Sequence, residues 1–202
     1  MAREIEMKFR LSRLAVVARR LRALGARRLH TVLQDDCYFD TPRRRLLRQG
    51  CGLRLRRVRL LRAGVGALDS RAELTYKGPA RRRAKAKVRP EHQTSVDDPA
   101  AVAAVLSACG LRPMVRLQKR RSLYRLGRCT VALDELPVLG CFVEIEGPGE
   151  SAIRRIRDRL ALTGRGIRWH YIKLLQARCA RAGRGCLQAT FSACRRCRRR
   201  PR

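Results

Sequence analysis

The stretch that most constrains this chain is its first predicted strand, Arg3-Glu4-Ile5-Glu6-Met7-Lys8-Phe9-Arg10. Successive side chains of a strand point to opposite faces. Ile5, Met7 and Phe9 therefore share a face that packs on a core. Glu4, Glu6 and Lys8 share the other, which puts two carboxylates and an ammonium in one row. An exposed antiparallel sheet shows the same alternation. Here the spacing recurs along the chain, in Arg54-Leu55-Arg56, Lys119-Arg120-Arg121 and Glu144-Ile145-Glu146, and in Glu91 and Gln93 with one amide.

Around this strand the residues predict short charged strands in two groups, each followed by a helix. Ser12 is the expected N-cap of a helix carrying Leu14, Val17, Leu21 and Leu24, ended by Gly25. Strands are expected over Thr31 to Phe39, Leu53 to Leu60 and Ala72 to Gly78, with a loop over 61–71. The basic run 81–87 reads as a solvated loop, and Val88 to Ser95 as a strand with Arg89, Glu91 and Gln93 on one face. Asp97-Asp98-Pro99 opens a helix that Gly110 ends. A meander follows over Met114 to Leu126, Cys129 to Leu133 and Cys141 to Glu146. Helices are expected over Glu150 to Leu162 and Trp169 to Ala182. The fold class is mainly antiparallel β (α+β), a sheet closed into a barrel with helices packed outside. Closure would give the charged faces a shared, ligand-holding interior.

The 202 residues and 45% apolar content suit one domain, placed at 1–177, and a basic tail at 178–202 read as disordered. No apolar run is long enough for a transmembrane helix. The chain opens directly into a charged strand, so no signal peptide is visible and a cytoplasmic location is expected. Nine cysteines are an odd set, with reduced thiols the default. Cys194 and Cys197, with Cys179 and Cys186 upstream, are too irregularly spaced to make a structural zinc site the main reading.

Forty-nine basic residues face only 16 acids, a net charge of +33. Such a chain attracts nucleic acid, anionic surfaces or polyphosphate. The scarce acids are informative where they cluster. Two like charges about 4 Å apart cost roughly 4 kcal/mol at an effective dielectric near 20. Glu4, Glu6, Glu144 and Glu146 in one lumen would therefore take up protons or hold cations. Oxygen-only donors suit Mg²⁺ or Mn²⁺. The opposing row is Lys8, Arg54, Arg56, Lys77, Arg89, Lys119 and Arg121. Interior guanidinium and ammonium groups at this density need anions, and a chain of phosphates fits arginine forks. No Walker-type loop or dinucleotide glycine fingerprint is present. His30, His92 and His170 are isolated from one another.

The motifs then run in an order that resembles the CYTH superfamily, the triphosphate tunnel metalloenzymes. Glu4-Ile-Glu6-Met-Lys8 resembles its N-terminal ExExK signature. Asp36-Cys-Tyr-Phe-Asp40, Gly52-Leu-Arg54-Leu-Arg56 and Leu74-Thr-Tyr-Lys77-Gly-Pro79 follow in order. Next come Arg89-Pro-Glu91, Lys119-Arg-Arg121-Ser-Leu-Tyr124 and Ala132-Leu-Asp134-Glu-Leu. The series ends on Leu139-Gly-Cys-Phe-Val-Glu144-Ile-Glu146 and covers about residues 3–175. Several elements are similar to the branch containing class IV adenylate cyclases.

The resemblance implies an antiparallel eight-stranded closed, tunnel-like barrel, in which Glu4, Glu6, Glu144 and Glu146 hold divalent metal, with Glu91 and Asp134 nearby. It implies that Lys8, Arg54, Arg56, Lys77, Arg89, Lys119 and Arg121 bind phosphate, and that Glu4, Glu6 and Lys8 carry catalysis. Gln93 stands where the family often has a second acid, and an amide binds metal more weakly. The implied substrate bears a triphosphate: ATP, tripolyphosphate or thiamine triphosphate. The leading expectation is hydrolysis that releases phosphate, because it demands less of a pocket. Cyclisation of ATP to cyclic AMP and pyrophosphate follows closely. A non-catalytic nucleic-acid or polyphosphate binder is the reading from another class, with non-specific nucleic-acid contact expected through the tail. Aromatic content of only 4% argues against single-strand stacking platforms.

Overall fold

The computed structural model describes residues 5–61, 70–79, 81–83, 86–88, 90–167, 169–181 and 188–192. Its strands are β1 (Ile5–Leu11), β2 (Arg27–Asp40), β3 (Gly52–Leu60), β4 (Ser70–Lys77), β5 (Arg81–Arg83), β6 (Ala86–Val88), β7 (Glu91–Val96), β8 (Arg112–Leu126), β9 (Cys129–Leu136), β10 (Gly140–Gly147) and β11 (Gln188–Ala189). Helices are α1 (Leu14–Ala23), α2 (Arg45–Arg48), α3 (Pro99–Ala108), α4 (Glu150–Arg159) and α5 (Tyr171–Arg181).

The main sheet runs β1-β10-β9-β8-β2-β3-β4-β7, antiparallel at every step, with β11 added in parallel beside β8. Chain order and sheet order differ most at one place: the first strand pairs with the tenth. β2 is long enough to join the two halves, pairing with β3 on one side and β8 on the other.

Alternation gives the sheet two different faces. On the outer face Phe9, Val131, Val143 and Ile145 pack with Val17 and Leu21 of α1 and Ile153, Ile156 and Leu160. The 3.6-residue spacing of Val17, Leu21 and Leu24 places α1 on this cluster. The inner face holds the charged rows, and α5 lies over part of it. There Val115, Leu117, Leu136, Leu139 and Phe142 pack with Tyr171, Leu175 and Ala189.

Several expectations are corrected. Ser12 does not cap α1; Arg13 occupies that position with no side-chain cap bond. Asp98, by contrast, accepts from the backbone N–H groups of Ala100 and Ala101 as expected. The basic run 81–87 is not simply a loop, because β5 and β6 pair antiparallel. Charge density marks solvation, and backbone pairing satisfies the same polar groups. The following strand starts at Glu91 rather than Val88, α4 ends at Arg159 and α5 starts at Tyr171. The barrel closure is not seen: the described path ends on β1 and β7 without pairing them. Nor is 178–202 uniformly unstructured. α5 continues to Arg181, and Gln188–Ala189 pairs with Arg116–Leu117. A two-residue strand is too short to leave periodicity. The loop over 62–69 and Cys186, Cys194 and Cys197 lie outside the described residues.

Ile145 is fully buried between β10 and its outer-face helices. Ile145→Ala is expected to cost about 2–5 kcal/mol of unfolding free energy, read as a lower urea midpoint at unchanged m-value.

Candidate active site

β1 and β10 pair so that Glu6 faces Glu146 and Lys8 faces Glu144. Both pairs project onto the inner face. Lys8 Nζ lies 2.9 Å from Glu144 Oε1 and 3.6 Å from Glu6 Oε1. Lys8 is buried, whereas the Glu6 side chain is 52% exposed. Partial burial, and then the neighbouring Glu144, push the Glu6 carboxyl above its ordinary range. Glu144 goes the other way. Burial would raise it, but Arg121, Lys119 and Lys8 together hold it well below the usual carboxylate range. Glu4, the first residue of the expected row, lies outside the described residues.

β8 and β9 supply the second layer. Arg121 donates to both oxygens of Asp134, Nε to Oδ1 at 2.7 Å and Nη2 to Oδ2 at 2.6 Å, and it also meets Glu144. The Tyr171 hydroxyl donates to Asp134 Oδ2 at 2.8 Å, and Lys119 Nζ lies 3.7 Å from the same oxygen. Asp134 is fully buried. Burial opposes its ionisation, yet Lys119 and Arg121 keep it below the ordinary Asp range. Asp134, expected near the metal, has both oxygens engaged by Arg121 and, unlike Glu144, does not line the cavity.

Lys119 is set mainly by burial, which lowers its pKa to about 8. Arg121 and Arg56 push in the same direction, against the attraction of Asp134 and Glu144.

β3 brings Arg54 and Arg56 to the opposite wall. Arg56 forks onto Asp36 of β2, Nε to Oδ1 at 2.6 Å and Nη2 to Oδ2 at 2.7 Å. Arg54 Nη2 donates to Thr75 Oγ1 at 3.1 Å, but its Nε is buried without a protein partner. A buried guanidinium donor left open costs stability unless a ligand takes it. Lys77 pairs with Glu91 at 2.9 Å, both about two-fifths exposed. Gln93 Oε1 accepts from Thr75 Oγ1 at 3.3 Å, so the amide is tied into the wall. Arg89 lies outside the described residues.

These groups border one cavity of about 990 Å³, lined by Glu6, Lys8, Arg54, Arg56, Lys77, Glu91, Lys119, Arg121, Glu144 and Glu146. Every expected site residue that is described, Asp134 excepted, reaches it. Asp36, Thr75 and Tyr171 had been given no role. Asp36 stood in a motif, but only the β2–β3 register shows it opposite Arg56. Tyr171 opens a helix joined to the site by packing, which leaves no local signal.

No group of three or more His, Cys, Asp or Glu close enough to hold a metal is found among the described residues. The donor chemistry nevertheless fits a hard cation. Glu6 and Glu146 are like charges directly opposite on neighbouring strands, a destabilising pair unless protonated or bridged, and they offer only oxygen.

The family model for the CYTH domain matches residues 2–154. The chain belongs to the CYTH family. It is 31% identical over 143 residues to the adenylate cyclase CyaB of Aeromonas hydrophila, covering 70% of this chain and 67% of that one. A solved structure from Pyrococcus horikoshii superposes with a TM-score of 0.66 at 27% identity, covering 85% of this chain and 99% of that one. A Hippeastrum protein, named as a candidate adenylyl cyclase and described as having a dominant triphosphatase activity, shares the fold. Its TM-score is 0.63 at 18% identity, covering 90% of this chain and 97% of that one. The CYTH domain thus accounts for β1 to the first part of α4, while α5 and β11 follow it. No described helix is long and apolar enough to cross a membrane.

The Lys119 shift has a sign that can be checked. Its folded pKa, about 8, lies below the 10.5 of the free side chain. Between those values the unfolded chain holds the proton more tightly, so this group's contribution to stability rises with pH across the window. Urea midpoints measured from pH 8 to 10 are expected to show that rise relative to Lys119→Met, in which it is absent.

Proposed function

We propose that this CYTH protein is a metal-dependent enzyme that cleaves a phosphoanhydride bond of a triphosphate-bearing substrate and releases phosphate. One observation carries the reading. Carboxylates from β1 and β10 and cations from β3 and β8 line a single cavity, in which Arg54 keeps a buried donor open. Arg54, Arg56, Lys119 and Arg121 bind the phosphate oxygens, with Lys77 nearer solvent. Asp36 and Asp134 fix the forks of Arg56 and Arg121, so orientation is established before substrate arrives. Lys8 neutralises Glu144 from within the site.

Glu6, Glu144 and Glu146, with Glu4 two residues before Glu6 in the sequence and Glu91 across the cavity, are the groups that would hold Mg²⁺ or Mn²⁺. Such a cation supplies Lewis-acid neutralisation of charge on the phosphate oxygens. The triphosphatase activity described for the Hippeastrum protein supports the hydrolytic reading.

A second reading rests on the Aeromonas cyclase. In this reading the ribose 3′-oxygen of ATP attacks the α-phosphorus and pyrophosphate leaves. The apolar part of the wall, with Leu46, Leu47, Met114 and Ile172, has room for a nucleoside.

Incubation with ATP, tripolyphosphate and thiamine triphosphate, each with Mg²⁺ and with Mn²⁺, separates the readings. Orthophosphate is the expected product. Cyclic AMP with pyrophosphate would transfer the assignment to cyclisation. Salt-sensitive polyanion binding without any product would make the protein a binder. Glu144→Gln combined with Glu146→Gln is expected to lower turnover by about 10²-fold or more. Unchanged turnover would remove those carboxylates from the chemistry.

A further inference from the structure

Tyr171 lies beyond the residues that the family model matches, yet it touches three of the site's charged groups. Lys8 Nζ sits 4.2 Å and Lys119 Nζ 5.2 Å from the centroid of its ring. Its hydroxyl donates to Asp134, the buried carboxylate that also fixes Arg121. Two ammonium groups held near one another repel. Both are buried, and the one aromatic ring offers each an attractive partner. The ring is itself held edge-on by Phe142 at 5.2 Å.

What holds the helix is equally specific. Leu175 of α5 is fully buried on the inner face, in the same cluster as Ala189 of β11. β11 runs beside Arg116 and Leu117 of β8, two residues before Lys119. Just beyond it, the Phe191 backbone N–H donates to Gln118 Oε1 at 3.0 Å, and the Phe191 ring lies 5.1 Å from the Arg120 guanidinium carbon. The C-terminal segment thus meets β8 on both sides of Lys119: Ala189 joins the inner-face cluster of α5, and Phe191 holds Gln118 and Arg120, whose side chains point to the opposite face.

We propose that Tyr171 is a positioning residue for the phosphate-binding lysines, and that β11 is the strap that keeps it in place. The proposal rests on the triphosphate reading given above. It assigns substrate affinity in part to a helix and strand outside the matched domain. Tyr171 does no chemistry; it fixes where Lys8 and Lys119 stand when the phosphates enter. The ring does most of this, and the hydroxyl secures Asp134.

The test compares Tyr171→Leu, Tyr171→Phe and a chain ending after residue 187, with KM and kcat measured on whichever triphosphate the wild type turns over. Tyr171→Leu is expected to raise KM about tenfold or more while kcat stays within about threefold. Tyr171→Phe keeps the ring and is expected to restore KM to within about threefold of wild type. The shortened chain is expected to show the Leu variant's rise in KM, and to add nothing when combined with Tyr171→Leu. A wild-type KM in Tyr171→Leu would overturn the proposal, as would a Phe variant as impaired as the Leu variant. A wild-type KM in the shortened chain, or a further rise on top of Tyr171→Leu, would overturn the strap. If the shortened chain does not fold, as judged by circular dichroism, Ala189→Glu in the full chain takes its place. If the wild type turns over no triphosphate, the enzymatic reading fails by itself. Calorimetric titration with tripolyphosphate across the same variants then decides the positioning role, and absence of binding in the wild type overturns it as well.

Discussion

The pairing of the first strand with the tenth is the constraint on which the site depends. It brings residues 136 and 140 positions apart in sequence to opposite sides of one ladder, as Lys8 with Glu144 and Glu6 with Glu146. A slip of one residue in either strand would turn that strand's two side chains to the other face, away from their partners. What forbids the slip is the outer-face cluster, where Phe9, Val143 and Ile145 are buried under α1 and α4. Apolar packing on one side of the sheet therefore fixes charge placement on the other.

Charge placement at this density needs compensation. Isolated buried ions are expensive, and ion pairs recover the cost only with good geometry and further hydrogen bonds. The two bidentate forks, Arg56 on Asp36 and Arg121 on Asp134, meet that requirement. They also occupy the oxygens of Asp36 and Asp134, which are then not free for a ligand. The balance left at the surface is cationic on the β3 and β8 walls and acidic along β1 and β10. A ligand that is anionic and binds a cation meets both needs at once, which is why the triphosphate reading is more economical than a bare polyanion surface.

Much of this was legible in the chain. The alternation in Glu4-Ile-Glu6-Met-Lys8 and Glu144-Ile-Glu146 predicted shared faces, and the register confirms the pairing for Glu6, Lys8, Glu144 and Glu146. Arg54, Arg56, Lys119 and Arg121 reach the same cavity for the same reason. The two roles that escaped depend on tertiary placement. Asp134 shares a face with the site acids, but only the position of Arg121 on β8 shows that its oxygens are engaged. Tyr171 belongs to a helix whose own pattern announces burial and nothing about lysines. The barrel closure was an inference from two groups of charged strands, each followed by a helix, and that pattern does not determine whether the end strands meet. The tail was judged by composition, which overlooks a single small residue such as Ala189 filling a gap.

The central claim is that acids and cations from distant parts of the chain act on one bound triphosphate. Anomalous diffraction from crystals soaked with Mn²⁺ and tripolyphosphate tests it most directly. The account predicts a manganese peak within coordination distance of Glu6, Glu144 or Glu146, and phosphate density against Arg54, Arg56 and Lys119. A manganese peak or phosphate chain found only on the outer arginine-rich surface, with the cavity filled by solvent, would contradict it.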